Sequence, residues 1–177
     1  MLLARSPGAV RDLGKSFRDR AAAKLYLGVV TPAPAEDEGT INAPVARAAA
    51  PNKDKMKIDA ESGKPAVTNF RVIEYIGKHA ALVAFMPHTG RTHQIRVHAA
   101  LVLGTPIIGD KRYGYQGDEL GDLVLNKRLH LHSYYLHTPH PWRDAPFHLT
   151  APIADDLAAT WAVFGLPHEI DAGQIFL

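Results

Sequence analysis

The chain has 177 residues, enough for one domain with its own core, and its 46% hydrophobic content marks it as globular rather than disordered. It has no cysteine, which excludes disulfides, thiolate nucleophiles and zinc–thiolate sites, and no apolar run approaches membrane-spanning length. The net charge of +2 hides an asymmetry: residues 1–143 hold all 20 bases and 13 of the 18 acids, a net +7, which fits either a solvated surface or a basic face toward a polyanion.

In chain order, Met1–Ala4 reads as a short strand, and the apolar start of Met1–Arg20 is too short for a signal peptide. Ser6-Pro7 starts a helix, Ser as N-cap and Pro at the first position, with Val10, Leu13, Phe17 and Ala21 as its apolar stripe. Lys24–Val30 is a strand with Tyr26 on the face opposite Leu25, Leu27 and Val29. Thr31–Gly39 is a loop, Ile41–Val45 a short strand, and the polar, lysine-bearing Ala48–Gly63 a mobile hairpin tip or insertion, with RNA contact as a second option. Ala66–Tyr75 and Ala80–Met86 form an antiparallel hairpin around Ile76-Gly77-Lys78. Ile107–Gly109 is short and extended, and Gly114–Gly121 is a loop. Leu129–Leu136 and Phe147–Thr150 are strands. Ala154–Phe164 is a final helix stopped by Gly165 and Pro167, and the last ten residues lie along the surface. The expected fold is α+β: an antiparallel sheet with packed helices, forming one domain over residues 1–177.

The chain is organised around Thr89-Gly90-Arg91-Thr92-His93-Gln94-Ile95-Arg96-Val97-His98 and the apolar run Ala99–Leu103 that follows it. Gly90 offers backbone freedom, Thr92 is a natural N-cap, and Gly104 with Pro106 ends a helix over about Thr92–Leu103. That helix is apolar nearly all round and therefore reads as buried, which makes Arg96 its informative residue. A guanidinium stays protonated and needs an anion when buried, yet no acid lies within the helix. Two partners stay open: a distant carboxylate such as Asp110, or an anion such as phosphate at the helix entrance.

The ten histidines raise the question of a metal. His130 and His132 share a strand face, but His93 and His98 lie about 140° apart on a helix of 3.6 residues per turn. No His-Glu-x-x-His spacing or third ligand completes a zinc set, so no metal site is expected. A Gly-x-Ser-x-Gly nucleophile motif is absent as well.

Gly90–His98, then Leu103-Gly104-Thr105-Pro106-Ile107-Ile108-Gly109-Asp110 and Tyr113-Gly114, closely resembles the signature of the RluA-type RNA pseudouridine synthases. Lys24–Val30 resembles the family segment that carries a substrate-site tyrosine. Arg128–Ser133, with Leu136 and His140-Pro141, resembles its late strand, so the likeness runs from Met1 to about Pro152. The resemblance implies isomerisation of uridine to pseudouridine in RNA, of the ribosomal type, by a cytoplasmic monomer without cofactor or membrane attachment. It implies Tyr26 against the flipped base and Arg96 pairing the catalytic aspartate, with Arg91, Thr92, His93 and Gln94 meeting RNA at the helix entrance.

The family's aspartate stands in a segment resembling His-Arg-Leu-Asp, before a leucine run ending in Ala-Arg. Met1-Leu2-Leu3-Ala4-Arg5 looks like the end of that run, so the aspartate is expected upstream of Met1. Residues 1–177 alone are then expected not to convert uridine, and the alternative is an inactive RNA-binding remnant. On this reading Arg96 has no partner within the chain, and Arg96→Met leaves it as stable as before or more stable.

Overall fold

The computed structural model describes residues 2–117, 125 and 127–175. In chain order the elements are α1 (Pro7–Arg18), β1 (Ala23–Val30), β2 (Glu38–Asn42), β3 (Val45–Arg47), β4 (Met56–Ile58), β5 (Val67–Ile76) and β6 (Ala80–Pro87). They continue with α2 (Gln94–Leu101), β7 (Leu131–Thr138), β8 (Phe147–Thr150), α3 (Asp155–Phe164) and the single turn α4 (Ala172–Ile175). Six strands form one sheet in the order β2-β5-β6-β1-β7-β8, every neighbouring pair antiparallel, and β3 pairs with β4 separately. This is the α+β architecture expected from the sequence.

The period-two pattern of β1 divides two cores. Leu25, Leu27 and Val29 meet Leu82 and Ala84 of β6 under α3, whose Leu157 and Trp161 are fully buried. On the opposite face Tyr26 and Val30 join Val83 and Phe85, closed by Ile95 and Ala99 of α2. A helix therefore covers each face of the central strands. α3 ends as the sequence demanded, on Gly165 in the left-handed conformation at φ 62.

Gly109 marks the one tight backbone crossing after α2. It sits at φ +81, and a methyl group there would overlap the Arg128 carbonyl. Only glycine can take this turn, which carries Asp110 back toward α2.

Several sequence-based expectations need correction. Residues 2–4 form no strand because no ladder partner lies beside them, and Leu3 is exposed. α1 is capped by Ser6, whose Oγ accepts from the Ala9 N–H at 3.2 Å, but it buries Ala9 and Leu13 and leaves Val10 and Phe17 exposed. α2 is buried only as far as Ala99; Leu101 and Val102 are exposed where it leaves the sheet. The stretch expected as one strand over 41–45 is divided between β2 and β3, which pair with different partners. The expected mobile tip is pinned: its Met56 N–H donates to the Tyr113 hydroxyl at 2.9 Å, and Arg112 Nη1 donates to the Asp54 carbonyl at 2.8 Å. The C-terminal stretch does more than lie on the surface. Tyr134 Oη accepts from the Ile170 N–H and donates to its carbonyl, and Ile175 is buried against the α3 core. The loop expected over 114–121 lies outside the described residues from position 118 onward.

Two buried histidines give the fold an acid limit. His98 Nε2 must donate to the Ala43 carbonyl, so its Nδ1 accepts from the Thr68 hydroxyl. His130 Nδ1 donates to the Arg128 and Ile108 carbonyls while Nε2 accepts from Thr160. Burial pushes both imidazoles below their ordinary value of 6.5. Their contribution is complete above pH 6.5 and is lost as pH falls toward their folded-state values, where the unfolded chain binds protons the native state refuses. Urea midpoints measured from pH 7.5 to 5 are expected to fall below about 6.5, each histidine contributing up to about 1.4 kcal/mol per pH unit. His98→Gln should flatten that fall; an unchanged pH profile in this variant would show that His98 titrates freely.

Candidate active site

A pocket of about 260 Å³ opens where β1 passes the entrance of α2. Lys24 and Tyr26 reach it from one face of β1, Arg91, His93 and Arg96 from the loop and first turn of α2, and Leu131 from β7. The loop is held from beneath by Gln94, whose carbonyl oxygen accepts from the Thr89 hydroxyl at 2.7 Å and the Arg91 N–H at 3.0 Å. Its amide donates to the Val67 carbonyl and to Thr68 Oγ1, both at 2.9 Å. Gln94 is buried with its amide fully engaged, so it shapes the loop and has no free donor to offer a ligand.

That internal bonding decides where α2 begins. Thr92 was the expected N-cap, but it is exposed and does not cap; His93 occupies the cap position in the left-handed conformation, φ 54 and ψ 20. A non-glycine residue there costs about 1–2 kcal/mol, and the strain sits at the pocket wall. Gly90, expected for backbone freedom, does not need a positive φ. A methyl group there would meet the Lys24 Nζ at 3.9 Å, an ordinary contact.

The Tyr113 hydroxyl accepts from the Met56 N–H and lies 2.9 Å from His93 Nδ1, so it donates to that nitrogen. The network assigns the His93 proton to Nε2. Burial, then Arg96 and Arg112, push the His93 imidazole down from 6.5, keeping it a neutral donor rather than a phosphate-pairing cation at neutral pH.

Arg96 is not without a partner. Its Nε and Nη2 donate to Asp110 Oδ2 and Oδ1, each at 2.7 Å, in a two-point pair with side chains 18% and 1% exposed. The Asp110 carboxylate pushes the guanidinium pKa up, against the effect of burial, and the guanidinium carbon lies 4.9 Å from the Tyr113 ring centre. The expectation of an orphan cation is overturned: the turn at Gly109 brings in the acid the helix lacks. Both N–H groups of Nη1 and the second of Nη2 remain, on a side chain that lines the pocket.

Of the residues singled out from the sequence, Tyr26, Arg91, His93, Gln94 and Arg96 border one pocket, and Thr92 does not. Lys24 was missed, although it stands two residues before Tyr26 and so had to share its strand face. Tyr113 entered only as part of the motif that carries the resemblance, with no role assigned to it. Among the described residues no carboxylate lines the pocket, and no three His, Cys, Asp or Glu side chains are grouped to hold a metal.

Residues 1–101 match the family model described as RNA pseudouridylate synthase. The chain is 39% identical over 133 residues to an uncharacterized RNA pseudouridine synthase of Zymomonas mobilis, covering 75% of this chain and 59% of that protein. It is 38% identical over 141 residues to the dual-specificity RNA pseudouridine synthase RluA of Escherichia coli K12, covering 80% and 62%. Among solved structures it resembles human RNA pseudouridylate synthase domain containing 4 at a TM-score of 0.75 and 23% identity, covering 94% of this chain and 71% of that one. Human RNA pseudouridylate synthase domain containing 1 gives 0.69 and 26%, covering 95% and 76%. The chain thus spans about 60% of the length of the first curated relatives it matches. With its strand tyrosine and helix arginine facing one pocket, it belongs to the RNA pseudouridylate synthase family, in the RluA-type branch.

Proposed function

We propose that this chain forms the C-terminal part of a single catalytic domain that isomerises uridine to pseudouridine in RNA, ribosomal RNA first, as a cytoplasmic monomer. The observation that carries the reading is the meeting of Tyr26 and Arg96 in one pocket that, among the described residues, no carboxylate lines. A base taken out of the stack would rest on Tyr26 and Leu131, since a ring face receives a pyrimidine without reading its neighbours. The N1–C1′ bond breaks, the base turns, C5 bonds to C1′, and the C5 proton leaves as N1 gains one. No cofactor is required.

Arg96 has the geometry for two carboxylates. Asp110 holds Nε and Nη2, and Nη1 is left to hold and aim an aspartate supplied by a segment outside residues 1–177. Asp110 itself is a poor nucleophile here, being 1% exposed with both oxygens engaged by Arg96. Tyr26 faces the base and assists the final proton removal. Arg91 meets phosphate or sugar, His93 offers its neutral Nε2–H, and Gln94 positions both.

The test uses ribosomal RNA transcripts, with a tRNA pool beside them, digested to nucleosides after incubation so that pseudouridine is resolved from uridine. A longer protein in which a segment carrying the aspartate precedes residue 1 should form pseudouridine, and residues 1–177 should bind RNA without forming it. Tyr26→Phe in the longer protein should slow the reaction about 100-fold, the lower range for a lost acid–base group. RNA binding without product in both would replace the enzyme by the inactive RNA-binding remnant, which the carboxylate-free pocket also accommodates.

A further inference from the structure

A second cavity, of about 430 Å³, adjoins the tyrosine pocket. Lys24, Thr89, Gly90 and Arg91 line both, so the two adjoin along one shared wall. The second chamber is closed on its far side by the end of α1, through Phe17, Arg18 and Arg20. Among the described residues four bases line it and no carboxylate does. Among the described residues, none of Arg18, Arg20, Lys24 and Arg91 forms an ion pair with an acid. The one recorded hydrogen bond from their charged ends is Arg91 Nε to the Pro65 carbonyl, at 3.0 Å. Arg20 is held in the left-handed conformation at φ 60, an unusual backbone for a residue with a long side chain.

We propose that this chamber seats the phosphate backbone of the RNA strand beside the target uridine, with Lys24 as the contact nearest the flipped base. The proposal rests on the reading of the tyrosine pocket as the site of the base, and it adds the path of the strand: over the end of α1, away from the β3–β4 hairpin. A cluster of four bases without acids is electrostatically unfavourable in the free protein and favourable once an anion lies among them. Lys24 is half-buried, and that burial pushes its ammonium below the ordinary value, a cost that a phosphate oxygen at Nζ offsets. Lys24 is a strong choice for this point, because a compact ammonium on a flexible stem meets a phosphate as a point charge. The hairpin lysines are poorer candidates: Lys57 is paired with Asp59 at 2.8 Å.

The experiment measures affinity of the full protein for a single-stranded, uridine-containing oligoribonucleotide as a function of KCl, with product formation in parallel. Lys24→Met should weaken binding about tenfold at low salt and lower the log–log salt slope by about 0.7, one phosphate contact on a single strand. Lys24→Arg should keep the slope, and Arg18→Met/Arg20→Met should lower it by about twice as much. The paired change Lys53→Met/Lys55→Met should leave it alone. In the reaction, Lys24→Met should raise KM with kcat held within about twofold, the signature of lost uniform binding. A slope unmoved by Lys24→Met but lowered by Lys53→Met/Lys55→Met overturns the proposed path and leaves the pocket's function standing. Absence of RNA binding by the unaltered protein overturns both.

Discussion

Asp110→Leu is expected to destabilise this protein by about 3–5 kcal/mol, and Arg96→Met by a similar amount, because each strands a charge that the fold has taken out of water. The carboxylate is 1% exposed and the guanidinium 18%, with two contacts of 2.7 Å between them. Removing Arg96 leaves Asp110 without its two donors; removing Asp110 leaves the guanidinium with only the Tyr113 ring face. The double variant Arg96→Met/Asp110→Leu should recover most of the loss, since an apolar pair of similar volume is often no less stable than a buried ion pair. Urea midpoints of the four proteins give the coupling directly. Additive losses would mean that the two side chains do not act as a pair. The losses should also persist at high salt, which screens exposed charges far more than this one. The double variant then serves a second purpose: if it folds but forms no product, the chemistry of Arg96 is separated from its structural duty.

Trp161→Ala is expected to cost about 3–5 kcal/mol as well, through a cavity rather than a charge. The indole is fully buried among Leu25, Leu27, Val29, Leu157 and Leu166, and its Nε1–H donates to the Pro167 carbonyl at 3.2 Å. Trp161→Phe keeps much of the volume and removes that donor, so it should cost less than half as much. The thermal midpoint reports the loss. Because Trp161 packs on the face of β1 opposite Tyr26, the folded fraction of either variant should retain its affinity for RNA. A drop in affinity beyond the loss of folded protein would show that the two faces are coupled.

The sequence made the hairpin β5–β6, the face of Tyr26 and the existence of α2 readable because each has a period or a turn signal spread over many residues. Boundaries and partners were another matter. Thr92 is the better N-cap by local chemistry, yet the four hydrogen bonds of Gln94 tie the loop to β5 and move the helix start past it. Val10 and Phe17 fit a buried stripe on α1, but the helix seats on Ala9 and Leu13 alone. Asp110 was one of two candidate partners for Arg96, and only the turn at Gly109 decides between them. The pocket residue left unremarked, Lys24, was in fact within reach of period-two reasoning.

That same alternation makes β1 a test of its own assembly. Its ladder pairs Leu27 with Ala84 on one side and with His132 on the other. Were the strand to pair one residue out of step, the lysine and tyrosine would be driven under Trp161, and three aliphatic side chains would be left facing the cleft. Such a molecule would lose its core and its reactive surface in the same event. A misthreaded copy therefore cannot persist as a stable protein that binds RNA and does nothing: the error that disarms the cleft also unfolds the domain, and leaves the chain to proteolysis.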